Sequence, residues 1–197
     1  MKKKNTIMIV VALALCLPAL AQNDQPDFSR HEISVGYGFA PITSTNSLVK
    51  VAYDSDVDKV GALCGSYTYF FNKYFGVGGT YCFDLRHIDY YDNAQNPEMI
   101  CSLGESSHSV MGHVKIDCLR KKHFVLYAKA DAGLCFWDYQ LEEYDTEHFH
   151  VGLPYQHCGL AWAVATGIEI GNQHIAGFAQ FGFGMEGLLN LGIRYKF

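Results

Sequence analysis

The stretch Leu188-Leu-Asn-Leu-Gly-Ile-Arg-Tyr-Lys-Phe197 decides the fold. Large apolar side chains occupy every second position from Leu189 to Phe197, and Asn190, Gly192, Arg194 and Lys196 lie between them. Period-two alternation places the two sets on opposite faces of a β-strand. An exposed apolar edge strand would pair with other chains in water. The pattern instead predicts the closing strand of a membrane barrel, with its apolar face in lipid and its edge sealed by the first strand.

The other end of the chain predicts export. Lys2, Lys3 and Lys4 precede an apolar run from Ile7 to Leu17, and Ala19-Leu-Ala21 fits a signal-peptidase cleavage site. The run is too short for a transmembrane helix of about 20 residues, and the alternative interpretation is a buried N-terminal helix. We therefore expect a signal peptide at 1–21 cleaved between Ala21 and Gln22, a short segment at 22–30 and one barrel domain at 31–197.

The composition favours many short strands. The chain has 19 Gly, 13 Tyr and 13 Phe, and only 18% of its residues are charged. This mixture is unlike that of a helical bundle. After cleavage 12 Lys and Arg remain against 20 Asp and Glu, a net charge of −8, so a nucleic-acid partner is not expected.

Eight alternating segments predict an all-β, eight-stranded antiparallel up-and-down barrel. The predicted strands span residues 31–39, 60–71, 74–86, 106–119, 123–137, 158–170, 175–185 and 188–197. Their connections alternate in length. Short turns are predicted at 72–73, 120–122 and 171–174, and long loops at 40–59, 87–105 and 138–157. Only the last hairpin, around Glu186-Gly187, is predicted to be short on the long-loop side. The three long loops contain 12 acidic residues against Lys50 and Lys59, while the short turns are basic or neutral.

Alternation alone does not say which face is inside, and a soluble barrel with an apolar interior is the alternative. The sixth strand separates the two. Opposite its apolar face it carries only small residues and Glu169, which is too little charge for a surface in water. Small residues with a few charges fit the lumen of an eight-stranded barrel, so the large aliphatic and aromatic face is predicted to meet lipid. Aromatic girdles are predicted where Phe71, Phe75, Phe124, Tyr195 and Phe197 cluster near the short turns, and where Phe39, Leu85 and Phe136 lie at the far ends.

Two segments carry a family resemblance, Tyr69-Phe-Phe-Asn-Lys-Tyr-Phe-Gly-Val-Gly79 and residues 181–197. The chain resembles the small outer-membrane β-barrel proteins of the OmpA/OmpX-like superfamily, in the form common in Bacteroidetes. The resemblance covers nearly the whole mature chain. It implies a monomer in the outer membrane, in contact with lipid and lipopolysaccharide. Phe197 resembles the C-terminal signal read by the barrel assembly machinery, and we expect no periplasmic peptidoglycan-binding domain after the barrel.

The inward faces are predicted to carry charges of both signs, at Asp84, Arg86, His113, Lys115, Asp117, Lys129, Asp131, Glu169 and Arg194. One interpretation is an ion path. The other is a plug of paired charges, which we favour because eight strands leave room only for side chains and buried charges need partners.

Two looser patterns lead to no assigned site. Residues 142–150 of the third long loop, with His157, hold carboxylates and imidazoles that could ligate a divalent metal, but at no recognised spacing. Ser106 and His108 share the outward face of strand four, where outer-membrane lipid A deacylases place such a pair. Their motif runs His before Ser, and here no orienting acid is identifiable. We therefore expect no catalytic, metal or cofactor site.

The six cysteines of the mature chain allow 15 complete pairings. One pair is nonetheless predicted to be adjacent. Phe71 and Phe75 both face outward, which requires a three-residue connection of Asn72, Lys73 and Tyr74. Cys64 then lies opposite Cys82 in the lumen, with Ser66 opposite Thr80 and Ala62 opposite Asp84. This register allows a disulfide between Cys64 and Cys82, but it predicts only that the two residues are neighbours and not that the bond forms.

Fold does not determine function. The leading hypothesis is a non-enzymatic barrel that supports envelope integrity or surface contacts through acidic loops, with a closed lumen. The alternatives are an adhesin or small-ligand receptor, and a lipid-modifying hydrolase at Ser106 and His108.

Overall fold

The computed structural model describes residues 29–41, 54–91, 99–144 and 157–197. They form eight antiparallel strands: β1 His31–Phe39, β2 Asp54–Phe70, β3 Phe75–Tyr91, β4 Met99–Lys121, β5 Phe124–Tyr144, β6 His157–Gly171, β7 Ile175–Gly184 and β8 Leu189–Lys196. Each strand pairs with its neighbour in sequence, and β1 also pairs with β8, so the sheet is a closed barrel. The predicted fold is confirmed. Within the described ranges, no helix is long and apolar enough to cross a membrane.

Closure brings the two ends of the barrel wall together. β1 and β8 are in register from Glu32 opposite Lys196 to Phe39 opposite Leu189. Beyond that ladder, the amide of His31 donates to the carbonyl of Phe197 at 3.0 Å, and the amide of Phe197 donates back at 2.9 Å. No strand edge is therefore left open along this seam, which is the property that a barrel needs in lipid.

The inward and outward assignments are confirmed along the strands. On β6, Leu160, Trp162 and Val164 are exposed, while Ala161 and Ala163 are buried. On β5, Lys129 and Asp131 are buried between outward-facing apolar neighbours. The large apolar side chains thus cover the outside, and charged and small residues fill the inside.

The short turns lie together at one end of the barrel, here called the turn end, and the opposite end is the loop end. At the turn end, Asn72-Lys73-Tyr74 connects β2 to β3 as predicted, and the amide of Phe71 donates to the carbonyl of Phe75 at 3.0 Å. The next turn is only Lys122-His123, because Lys121 still pairs with Phe124, so the predicted turn at 120–122 was displaced. The third turn is 172–174.

The predicted long loops at 40–59, 87–105 and 138–157 were wrong in extent. β2 begins at Asp54, β3 runs to Tyr91, β4 begins at Met99 and β5 runs to Tyr144. Much of each predicted loop is therefore paired strand. The reason is that backbone pairing needs no apolar face, so strands continue past the part of the wall where alternation is visible. β1, β7 and β8 stop after 9, 10 and 8 residues, so the wall is high at β2–β5 and low at β7–β8.

An aromatic girdle surrounds part of the turn end, as predicted. Phe75 stacks on Phe71 with ring centroids 6.2 Å apart, and Tyr69 meets Phe71 edge-on at 5.4 Å. His31 continues the row to Phe197 at 5.3 Å, and Tyr195 lies 5.7 Å from Phe197. Rings with an apolar body and a polar edge are typical of a membrane–water boundary.

Candidate functional site: a charged lumen closed by an apolar layer

The lumen holds the charged residues that the sequence analysis placed there. Their side chains are buried in eight of the nine positions: Asp84, His113, Lys115, Asp117, Lys129, Asp131, Glu169 and Arg194. The ninth, Arg86, has a side chain outside the described part of the chain. Asp84 lies opposite Ala62, further toward the loop end. The other seven buried groups form two polar layers, one near the turn end and one in the middle of the barrel.

The layer near the turn end is the turn-end charge cluster. The Lys115 ammonium donates to Glu32 at 2.5 Å and to Glu169 at 2.6 Å. Arg194 Nε lies 2.5 Å from Glu169, and Lys196 lies 3.0 Å from Glu32. Its members come from β1, β4, β6 and β8: Glu32, Lys115, Asp117, Arg120, Glu169, Arg194 and Lys196. Each of the two glutamates contacts more than one cation, so the cluster ties opposite walls of the barrel together.

Phe70 packs within this cluster, with its side chain fully buried. The charged ends of Lys196, Arg120 and Lys115 lie 5.2, 5.6 and 5.8 Å from its ring centroid. An aromatic face attracts cations at such distances. Phe70 thereby fills space beside the cluster without the desolvation cost that another charge would bring.

The middle layer, the central network, has one self-consistent hydrogen-bond pattern. Thr80 Oγ1 donates to Asp131 at 2.7 Å and accepts from Lys129 at 3.0 Å. The single hydroxyl proton of Thr80 is already donated to Asp131, so Thr80 Oγ1 accepts from His113 Nδ1 at 2.9 Å. In the neutral ring, His113 Nε2 then accepts from the Thr68 hydroxyl at 2.9 Å. Lys129 also bonds to Glu186 and lies 3.1 Å from Asp131. In this pattern a neutral imidazole connects the two threonines.

Glu186 is one of the buried residues that the sequence analysis missed, and Glu105, assigned to a predicted loop, is another. Glu186 was assigned to a surface turn, yet its side chain is buried and bonds to both Lys129 and Gln180. The β7–β8 turn bends inward between Gly184 and Gly187, whose φ angles are 118° and 91°. A glycine on each side of a charged residue was the available signal, because only glycine adopts such angles without strain. Glu32 and Lys196 are also buried in the lumen, and neither was in the predicted lumen set.

An apolar layer, here called the septum, separates the central network from the loop end. It consists of small, sulfur-containing and aromatic side chains: Ala62, Cys64, Cys82, Met111, Cys135, Trp137, Ala161 and Met185. Cys64 and Cys82 are joined by a disulfide and their Cα atoms lie 4.2 Å apart. The predicted register of β2 and β3 is confirmed at this pair and at Ser66–Thr80 and Ala62–Asp84.

Little empty space remains in the lumen. A cavity of about 20 Å³ lies between the turn-end charge cluster and the central network, which is room for one or two water molecules. Ions moving along the axis would have to break paired charges and cross the septum. The arrangement of the described residues matches the plug rather than the ion path.

The weaker candidates are not assembled into a site. Ser106 and His108 both point outward and are half-buried, and His108 Nδ1 forms a hydrogen bond with the Tyr81 hydroxyl at 2.7 Å. A nucleophile–base pair is therefore not observed in this part of the chain. No group of three possible metal ligands occurs among the described residues. The acidic segment at 142–150 and the side chain of His157 lie largely outside them.

The fold defines a class: closed eight-stranded antiparallel barrels with an apolar exterior and a charged interior. No protein-family model matches the sequence, and no curated protein does. Among solved structures, the chain is similar to the crystal structure of Ail, the attachment invasion locus protein of Yersinia pestis, with 14% identity and a TM-score of 0.44 over 86% of this chain and 97% of that one. It is also similar to the outer membrane protein OprG of Pseudomonas aeruginosa, with 10% identity and a TM-score of 0.49 over 86% and 96% of the two chains. These values are too low to transfer a function, and the fold assignment rests on the strand pairing of this chain.

Proposed function

We propose that this protein is a non-enzymatic outer-membrane barrel with a closed lumen, which contributes to envelope integrity or to surface contacts at its loop end. The observation that carries the proposal is the outer face. Among the described residues, it presents 26 large hydrophobic side chains to the surroundings. Monomeric soluble proteins rarely expose apolar patches of more than a few hundred Å², whereas a lipid-facing wall requires them.

The distribution of charge supports the same proposal. Among the described side chains, the charged ones that are exposed or half-buried lie only at the two ends: Arg30, Lys73, Arg120, Lys121, Lys122 and Asp138. The band between them carries none. This separation matches an uncharged zone in hydrocarbon between two zones in water.

The raised wall at the loop end supports a role in surface contact. β2 and β3 carry Asp54, Asp56 and Asp58 beside Asp89, with Asp56 directly opposite Asp89. An adhesin or receptor is the second candidate function, and it rests on this acidic wall.

Heat modifiability tests the barrel and its membrane setting. Protein refolded in detergent should migrate faster before boiling than after, because a closed barrel with all backbone groups paired resists SDS. Equal mobility of refolded protein before and after boiling would contradict the proposal.

A deletion strain tests the biological role. Loss of envelope integrity should appear as detergent sensitivity that the wild-type gene restores. A variant with Asp54, Asp56 and Asp58 changed to Asn should restore detergent resistance but not surface adhesion if the acidic wall is a contact surface. Mass spectrometry of lipid A in the same strains tests the hydrolase alternative, which requires a changed acylation pattern.

A further inference from the structure

A cleft at the turn end has a composition that the proposed function does not explain. It lies between the β4–β5 turn and the β6–β7 turn, which are joined by the Gly171 amide donating to the His123 carbonyl and by His123 Nδ1 donating to the Gly171 carbonyl, both at 3.1 Å. Its volume is about 30 Å³. The ionisable side chains that line it are Arg120, Lys121, Lys122, His123, Arg194 and Lys196.

No acidic side chain belongs to the described lining of this cleft. Acids do lie behind it: Arg120 pairs with Asp117 at 2.7 Å, and Arg194 and Lys196 pair with Glu169 and Glu32. The turn-end charge cluster nevertheless has four cations for three carboxylates. Lys121 and Lys122 are exposed and raise the excess to three positive charges. A concave surface with such an excess attracts and retains anions.

The surroundings of the cleft indicate what kind of anion it suits. Phe124 lines the cleft and is also part of the outward face, where it pairs with the exposed Ile170. The basic cleft is therefore continuous with the apolar wall. A ligand with a phosphate group and attached acyl chains could place the phosphate among the cations and its chains along Phe124 and Ile170. A free phosphate would use only the first of these surfaces.

We propose that this cleft binds the phosphate of an anionic phospholipid in the leaflet at the turn end. The proposal rests on the proposed function, because it requires the barrel to lie in a membrane with its short turns at the headgroup level. Lysines next to an anionic lipid surface each strengthen binding. Lys121 and Lys122 are the exposed lysines of the cleft, so they are the residues to change.

Lipid competition in native mass spectrometry tests the proposal. Refolded full-length protein would be mixed with equal amounts of phosphatidylglycerol and phosphatidylcholine of the same chain length. We expect about tenfold enrichment of bound phosphatidylglycerol, and loss of that enrichment in the Lys121→Gln/Lys122→Gln variant. The matched control is Arg30→Gln/Lys73→Gln, which removes two positive charges from the same end but outside the cleft lining, and it should keep most of the enrichment.

Three results would overturn the proposal. Equal retention of the two lipids by the wild type would show that the cleft has no preference for an anionic lipid. An equal loss in the control variant would show a diffuse charge effect. Full displacement of phosphatidylglycerol by millimolar inorganic phosphate would assign the cleft to a soluble phosphate. The heat shift of the same samples is read separately, because its absence would refute the membrane barrel and not the lipid preference.

Discussion

Val164 lies midway along β6, faces outward and is 53% exposed. We expect Val164→Arg to cost about 2–4 kcal/mol of folding free energy in bilayers, because the guanidinium would be placed near the middle of the hydrocarbon. Ile170→Arg is the matched control. Its side chain is also outward, but it lies at the girdle, where the cost falls to about 0–1 kcal/mol. Denaturant unfolding in lipid vesicles measures both, and equal costs would contradict the assigned depth.

The lumen allows a second comparison between two buried lysines. Lys115→Met leaves Glu32 beside Lys196 and Glu169 beside Arg194. Lys129→Met leaves Glu186 with Gln180 and Asp131 with Thr80, both neutral. We expect the Lys129 variant to lose about 3–5 kcal/mol, as for a buried pair deprived of one partner, and the Lys115 variant to lose less. Unfolding in detergent by urea, followed by tryptophan fluorescence, checks the order of the two. A larger loss in the Lys115 variant would contradict the argument that the remaining cations compensate Glu32 and Glu169.

At the scale of the elements, two of the short turns are stabilised in the same way, by an asparagine side chain that accepts hydrogen bonds from two backbone amides. Asn72 Oδ1 accepts from the amides of Tyr74 and Phe75 at 2.9 and 2.8 Å, and Asn172 Oδ1 accepts from His174 and Ile175 at 2.9 and 2.6 Å. Each turn should lose about 1 kcal/mol when its asparagine becomes alanine. Gln173→Ala, in the same turn as Asn172, should have little effect. Thermal unfolding of the three variants checks this, and an equal loss in the Gln173 variant would contradict the role given to the asparagines.

The strands also show how far sequence reasoning reached. β1 was predicted at both ends, and β6, β7 and β8 to within a residue, because their alternation covers their whole length. β2–β5 were predicted too short. Beyond the apolar band both faces of a strand can be polar, so Asp54, Asp56 and Asp58 were indistinguishable from a charged loop. What alternation detects is the part of a strand in contact with lipid, not the extent of pairing.

At the scale of the whole molecule, the septum and the two charge layers predict an electrically silent barrel. Purified protein in planar bilayers should give little or no steady conductance, because an eight-stranded barrel has room only for side chains. A wide-pore porin of known conductance in the same lipid serves as the positive control. Reproducible open channels from the monomer would contradict the closed lumen.

The lumen as a site could be predicted in content but not in arrangement. Period two is enough to assign a residue such as Lys115 or Asp131 to the inward face. It does not show which charges meet across the barrel, since Lys115 bonds to partners 83 and 54 residues away in sequence. Period-two alternation also does not show that a turn bends into the lumen, and for this reason Glu186 was missed. Signal-peptide cleavage and assembly through Phe197 remain predictions.

The Cys64–Cys82 bond belongs to the septum, and both cysteines are buried. Oxidants reach a thiol only where it is accessible, so we expect the bond to form before β1 meets β8. β2 and β3 would then be cross-linked before the barrel closes, and the cross-link would prevent their pairing register from shifting by one residue. The buried position of these two sulfur atoms therefore sets an order for biogenesis, in which oxidation comes first and barrel closure second.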